Sequence, residues 1–125
     1  MDYQTINKDN LPKWINTLKY LTSILVENDI KYYLSASGLE YILGSNIYPY
    51  DIDLFMHKEN VQKAYELLKD YSVSDLHKWE NRLIEFQGKY NGIPFEICEW
   101  EKEPKKLINK KFKDFKFVVN DILMF

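Results

Sequence analysis

The sequence predicts an α/β (α+β) fold, and three observations predict it. Apolar residues recur at helical spacing over 10–28 and again over 59–70. Over 51–56 and 84–99 they alternate with polar residues, the mark of strands with one buried face. The pair Asn91-Gly92 divides the second of these stretches, and it is the strongest short-range hairpin signal. At 125 residues the chain is expected to form one domain, 1–125, large enough for its own core.

The first helix is expected over 10–28. Asn10 suits the N-cap, Pro12 suits the first turn, and Leu11, Trp14, Ile15, Leu18, Leu21, Ile24 and Leu25 make one stripe. Asn28-Asp29 ends it, and a strand over 30–35 leads into the small residues Ser35, Ala36, Ser37 and Gly38. A short helix follows, then a loop over 44–50 that contains no Lys or Arg. The next strand, 51–56, begins Asp51-Ile52-Asp53-Leu54. Side chains alternate along a strand, so Asp51 and Asp53 share one face while Ile52, Leu54 and Met56 take the other. Two like charges so close repel each other, a cost that a divalent cation relieves. Mg²⁺ prefers carboxylate oxygens.

A second helix over 59–70 carries Val61, Ala64, Tyr65 and Leu68 on its stripe. His57, at the strand end before it, is expected to be solvated. Residues 71–81 are mixed and suggest no role. In the hairpin, Ile84 and Phe86 alternate with Glu85 and Gln87, and Ile93, Phe95 and Ile97 alternate with Pro94, Glu96 and Cys98. Glu96 therefore shares a sheet face with the aspartates if its strand neighbours theirs. Glu99 has the other parity and serves only if a bulge intervenes.

These residues together resemble the nucleotidyltransferase superfamily, the DNA polymerase β-like fold, and its small members most. The resemblance spans roughly 30–100. That family shows a strand ending in Gly-Gly or Gly-Ser, a short helix, an Asp-apolar-Asp/Glu-apolar pair, and a third carboxylate on a later strand. Ala36-Ser37 stands where Gly-Ser is expected, thirteen residues lie between Ser37 and Asp51, and Asp51-Ile52-Asp53-Leu54 matches the carboxylate pair. Ala36 departs from the family, and an Ala is strained there if the backbone needs a positive φ. Ser37-Gly38, slipped by one, is the alternative small pair.

The resemblance implies a mixed β-sheet with helices packed on one face. It also implies Mg²⁺-dependent transfer of a nucleoside monophosphate from an NTP to a hydroxyl acceptor. Asp51, Asp53 and Glu96 are then the catalytic and metal-holding residues, with two Mg²⁺ ions when NTP is bound. Ser35, Ala36, Ser37 and Gly38 are the nucleotide-binding turn, since small residues let phosphates reach the amides that open the next helix. The alternative on the same fold is a degenerate protein that binds nucleotide or a partner, antitoxin-like, and transfers nothing. Among acceptors, the resemblance allows a small molecule or a protein.

The bulk numbers exclude other classes. A net charge of −2 gives no broad nucleic-acid footprint, so a nucleic-acid partner is not expected. Cys98 is the one cysteine, which rules out an internal disulfide and fits a reducing compartment. The N-terminus is polar and unlike a signal peptide, and no apolar run is long enough to span a bilayer. The expectation is a cytoplasmic protein. Ten Tyr and seven Phe point to an aromatic core. Residues 101–116 carry seven lysines and are expected as a solvated helix or loop face. A strand is expected over 115–119. The apolar end Ile122-Leu123-Met124-Phe125 is expected to pack on the body, on a second copy or on a protein partner.

Overall fold

The computed structural model describes residues 5–120. The C-terminal segment expected to mediate dimer or partner contacts lies outside those residues. The elements run α1 (Leu11–Glu27), β1 (Tyr33–Ser35), α2 (Ala36–Ile42), β2 (Ile52–Met56) and α3 (Lys58–Leu67). A single 3₁₀ turn (Lys69–Tyr71) precedes β3 (His77–Trp79), β4 (Leu83–Tyr90), β5 (Ile93–Glu99), β6 (Leu107–Phe112) and β7 (Phe115–Asn120).

Five strands form a mixed sheet in the order β1-β2-β5-β4-β3. β2 and β5 run parallel, and the other neighbours are antiparallel. The parallel pair is possible because β2 and β5 are joined by a long crossover that includes α3 and the β3–β4 segment. α1 and α3 cover one face. Trp14, Leu18, Leu21 and Leu25 of α1, with Val61 and Ala64 of α3, are buried against Ile52, Leu54, Met56, Phe86, Phe95 and Ile97 of the sheet. The opposite face carries the polar alternates of the same strands.

The predicted stripe of α1 is the face it buries, with Leu11 and Ile24 at its margins. Asn10 occupies the N-cap position, but its side chain makes no cap. Its Oδ1 instead accepts the Asn7 N–H at 2.7 Å and its amide donates to the Thr5 carbonyl, which braces the preceding turn. His57 is exposed, as expected, and it also has a structural use. Its Nδ1 accepts the Glu59 N–H at 3.2 Å and caps α3.

Asn91 and Gly92 both have positive φ, 54° and 79°, as a two-residue type I′ hairpin requires. That turn sets the β4–β5 register, including Gln87 opposite Glu96 and Glu85 opposite Cys98. The basic stretch is a correction. It is not a helix or plain loop: 107–112 is strand β6, paired antiparallel with β7. Ile108 and Phe112 turn toward the core while Asn109, Lys111 and Lys113 stay exposed, so the lysines mask an alternating strand. Tyr32, almost fully buried, ties this hairpin to the body by accepting the Val118 N–H at 3.2 Å.

Gly88 is opposite Phe95, and a Cβ there would come within 2.1 Å of the Phe95 ring. That ring is 1% exposed and has nowhere to retreat. Gly88→Ala should destabilise the protein by about 1–3 kcal/mol through overpacking. Urea denaturation measures this, and an unchanged midpoint would contradict the packing described.

Candidate active site

The carboxylates come together because β2 and β5 are neighbours. Asp53 stands directly opposite Glu96, and Ser35 of β1 stands opposite Asp53 on its other side. Asp51 precedes β2 and is fixed by its own backbone. The indole Nε1–H of fully buried Trp14 donates to the Asp51 carbonyl at 3.0 Å. Oxygen atoms of Asp51, Asp53 and Glu96 lie within 4.8 Å of one another, and all three side chains are half-buried.

Crowding three carboxyls there shifts their titration. Burial first, then the charges of Asp51 and Glu96, push Asp53 up to about 8. Burial also raises Asp51. Glu96 is pushed up to about 7, by burial and then by its hydrogen bond with Glu85. Without a cation the cluster keeps protons at neutral pH, and a cation would displace them.

A second constellation adjoins the first, and sequence reading missed it. Cys98 Sγ lies 3.2 Å from Glu96 Oε1 and 3.4 Å from Glu85 Oε2, two acceptors within reach of its single thiol hydrogen. Glu85 Oε1 meets His77 Nε2 at 3.1 Å, and His77 Nδ1 meets the Asp75 carbonyl at 2.8 Å. Both partners of His77 can accept, so protonation of the ring is favoured because the imidazolium donates to both at once. Its hydrogen bond to Asp75 and its contact with Glu85 raise its pKa accordingly. Burial alone would raise Glu85, but hydrogen bonds from Glu96, Cys98 and His77 outweigh it and lower its carboxyl. Burial among carboxylates raises the Cys98 thiol strongly, so without a cation it is a neutral donor here. The signal for one pair of this network was available. A two-residue turn at Asn91-Gly92 pairs residues whose numbers sum to 183, which sets Glu85 opposite Cys98.

At the turn, Ser35 ends β1 and takes the N-cap position of α2 without a side-chain cap. Ala36 opens α2 with φ 58°, the left-handed region that costs an L-residue roughly 1–2 kcal/mol. Ser37 Oγ accepts the Tyr50 N–H at 2.9 Å and ties the 44–50 loop to the helix start. Gly38 is buried, and a Cβ on it would come within 3.1 Å of the Trp14 ring and 3.3 Å of Leu34. Its small size serves the packing of α2. Tyr50 is 73% exposed at the loop end, whereas Tyr48 lies beside Tyr41. Glu99 is drawn aside. Its Oε1 accepts the Ile84 N–H at 3.1 Å, and it pairs with Met56 beyond the carboxylate cluster.

The strain at Ala36 yields a prediction. Ala→Gly within a helix ordinarily costs about 1 kcal/mol. Here relief of the left-handed backbone offsets that entropy, so Ala36→Gly should leave the melting temperature unchanged or raise it by a few degrees. A fall of several degrees would contradict the positive φ.

No family model matches the chain. No curated protein sequence matches it either. Solved structures do. A candidate nucleotidyltransferase from Thermotoga maritima superposes with a TM-score of 0.74 at 14% identity, over 97% of this chain and 83% of that one. The lincosamide antibiotic adenylyltransferase LnuA, solved with lincomycin bound, superposes with a TM-score of 0.64 at 15% identity, over 97% and 84%. The strand order and these superpositions agree with the resemblance carried by the sequence, and the chain has the nucleotidyltransferase fold.

Proposed function

We propose that the protein is a Mg²⁺-dependent nucleotidyltransferase that moves NMP from an NTP to a hydroxyl of a small-molecule or protein acceptor. The observation that supports it is the convergence of Asp51, Asp53 and Glu96 oxygens on two paired strands, beside the turn that opens α2. An all-oxygen donor set suits a hard cation such as Mg²⁺. Asp51, Asp53 and Glu96 would hold it. Bound there, Mg²⁺ would neutralise the charge that gathers on the transferring phosphate.

The chain's own residues supply the rest. The amides that open α2 would receive the phosphates. Ser37, already accepting from Tyr50, has its hydroxyl hydrogen free to donate to a phosphate oxygen. The acceptor oxygen bonds to the α-phosphorus as the bond from that phosphorus to the β-bridging oxygen breaks. Pyrophosphate leaves with the electron pair, and Glu96 takes the hydroxyl proton.

A second reading, a degenerate nucleotide- or partner-binding protein, is favoured by one local feature. Ala36 puts a Cβ on the strained backbone where the family has Gly, next to a loop with no Lys or Arg.

Thermal-shift titration with ATP, GTP, CTP and UTP, each with and without Mg²⁺, separates the two. A ligand at about one hundred times its Kd adds about 2.7 kcal/mol, a shift of several degrees here. The enzyme reading expects a Mg²⁺-dependent shift that Asp51→Asn removes. No Mg²⁺-dependent shift with any of the four would overturn it.

A further inference from the structure

We propose that Cys98, Glu85 and His77, with Glu96 at their edge, form a further metal site that takes a thiophilic divalent cation such as Zn²⁺. The site goes beyond the nucleotidyl-transfer reading and does not depend on it.

Backbone register builds the row. His77 of β3 stands opposite Glu85 of β4, and Glu85 stands opposite Cys98 of β5. Residues directly opposite one another share a sheet face, so all three side chains project to one side. Glu96, two residues before Cys98, shares that side. One oxygen of each glutamate and the Cys98 sulfur lie within 4.8 Å of one another. His77 Nε2 closes the row, 3.1 Å from Glu85 Oε1.

The donors narrow the occupant. They are one sulfur, one imidazole nitrogen and carboxylate oxygens, a set that Zn²⁺ takes at about 2.3 Å from sulfur and about 2.0 Å from nitrogen or oxygen. Tetrahedral bonds of those lengths set S···O edges at about 3.5 Å and N···O edges at about 3.3 Å. The edges here are 3.2 and 3.4 Å from sulfur and 3.1 Å from nitrogen, so small movements gather the donors on one ion. His77 is already oriented as a ligand. Its Nδ1–H donates to the Asp75 carbonyl at 2.8 Å, which turns Nε2 toward Glu85. A metal-bound histidine characteristically holds its other ring N–H in this way. Cys98 has one hydrogen for two carboxylate oxygens, whereas one cation satisfies the sulfur and both oxygens together. A cavity of about 390 Å³ borders Glu85, Glu96 and Cys98 and gives a cation access, and Glu99 and Glu101 on its wall favour the approach of positive charge. Mg²⁺ gains nothing from sulfur and suits the all-oxygen set on the other side of Glu96. As the ion binds, the sulfur electron pair forms the metal–sulfur bond and the thiol hydrogen leaves to water as a proton. The Nε2 lone pair bonds likewise, and any proton on Nε2 goes to water.

The test uses Co²⁺ in place of Zn²⁺, because thiolate ligation gives Co²⁺ a sulfur-to-metal charge-transfer band in the near ultraviolet. The full chain, kept reduced with a phosphine, is titrated with Co²⁺ without nucleotide. The expected result is that the band appears, that Zn²⁺ erases it and that a large excess of Mg²⁺ does not. Cys98→Ser should abolish the band, and His77→Ala should weaken Co²⁺ binding by about tenfold or more. Asp53→Asn should keep the band, since that carboxylate belongs to the other set. Far-ultraviolet circular dichroism checks that each variant folds. Zinc X-ray absorption of the wild-type protein reads the sulfur ligand without any variant, so a Cys98→Ser protein that failed to fold would leave the question answerable. No band, a band that survives Cys98→Ser, Co²⁺ binding indifferent to His77→Ala, a band lost to Mg²⁺ or in folded Asp53→Asn, or bound zinc without a sulfur neighbour would each overturn the proposal.

Discussion

Asp53→Asn is expected to lower nucleotidyl transfer by a factor of roughly 10³ or more while leaving the protein as stable as wild type, or more so. The two effects share one cause. Burial and the charges of Asp51 and Glu96 raise Asp53 to about 8, so the folded state binds its proton more tightly than the unfolded chain. For such a group stability falls as pH rises from about 4 toward 8, because the native carboxyl must then ionise against burial and like charge. Asn never ionises. The variant and wild type should therefore melt alike at or below about pH 4, and the variant should melt several degrees higher near pH 8.5. Mg²⁺ should remove that gap by stabilising wild type alone. Activity moves the other way because metal placement fails as a unit when one carboxylate is lost. Melting curves across that pH range, with and without Mg²⁺, measure the first effect and pyrophosphate release measures the second. A variant that melted lower at high pH would contradict the charge balance described.

Trp14→Ala should be the most destabilising single change among those considered. The side chain is fully buried, its ring lies 5.9 Å from Tyr41, and it is the closest neighbour of the position a Gly38 Cβ would take. Losing a buried Trp typically costs about 3–5 kcal/mol, which lowers the melting temperature by roughly 10–20 °C in a domain of this size. Trp14→Phe separates packing from placement. It retains much of the apolar contact and loses the Nε1–H bond to the Asp51 carbonyl. It should fold with a smaller loss, and its transfer rate should still fall at least severalfold, since the start of β2 then loses an anchor. Full activity in a folded Trp14→Phe protein would show that Asp51 needs no such support.

The sequence made some of this legible for physical reasons. Alternation along β2 and β5 put Asp51, Asp53 and Glu96 on one kind of face, because the core claimed Ile52, Leu54, Phe95 and Ile97. The Asn-Gly turn announced the hairpin. Strand adjacency is a long-range property, and no local pattern carried it except through the resemblance to a known fold. β6 escaped because its exposed positions, Asn109 and Lys111, sit in a lysine-rich stretch that reads as a solvated run. β3 escaped because all three of its residues are exposed and show no alternation. The Cys98–Glu85–His77 network escaped because its members look like unrelated surface groups until the register sets them opposite one another. Gly38 is expected in the nucleotide-binding turn, and a Cβ there would also press on Trp14 and Leu34, so packing is a second reason for its small size.

Asp51, Asp53 and Glu96 are proposed to form a cation site completed by nucleotide. Mn²⁺ shares the oxygen-ligand preference of Mg²⁺ and is visible by electron paramagnetic resonance. Titrating the protein with Mn²⁺, alone and with a non-hydrolysable ATP analogue, tests the claim directly. Bound Mn²⁺ is expected to tighten when the analogue is present, and that binding is expected to be lost in Asp53→Asn and in Glu96→Gln. Equal Mn²⁺ binding by wild type and Asp53→Asn, with the analogue present, would contradict it.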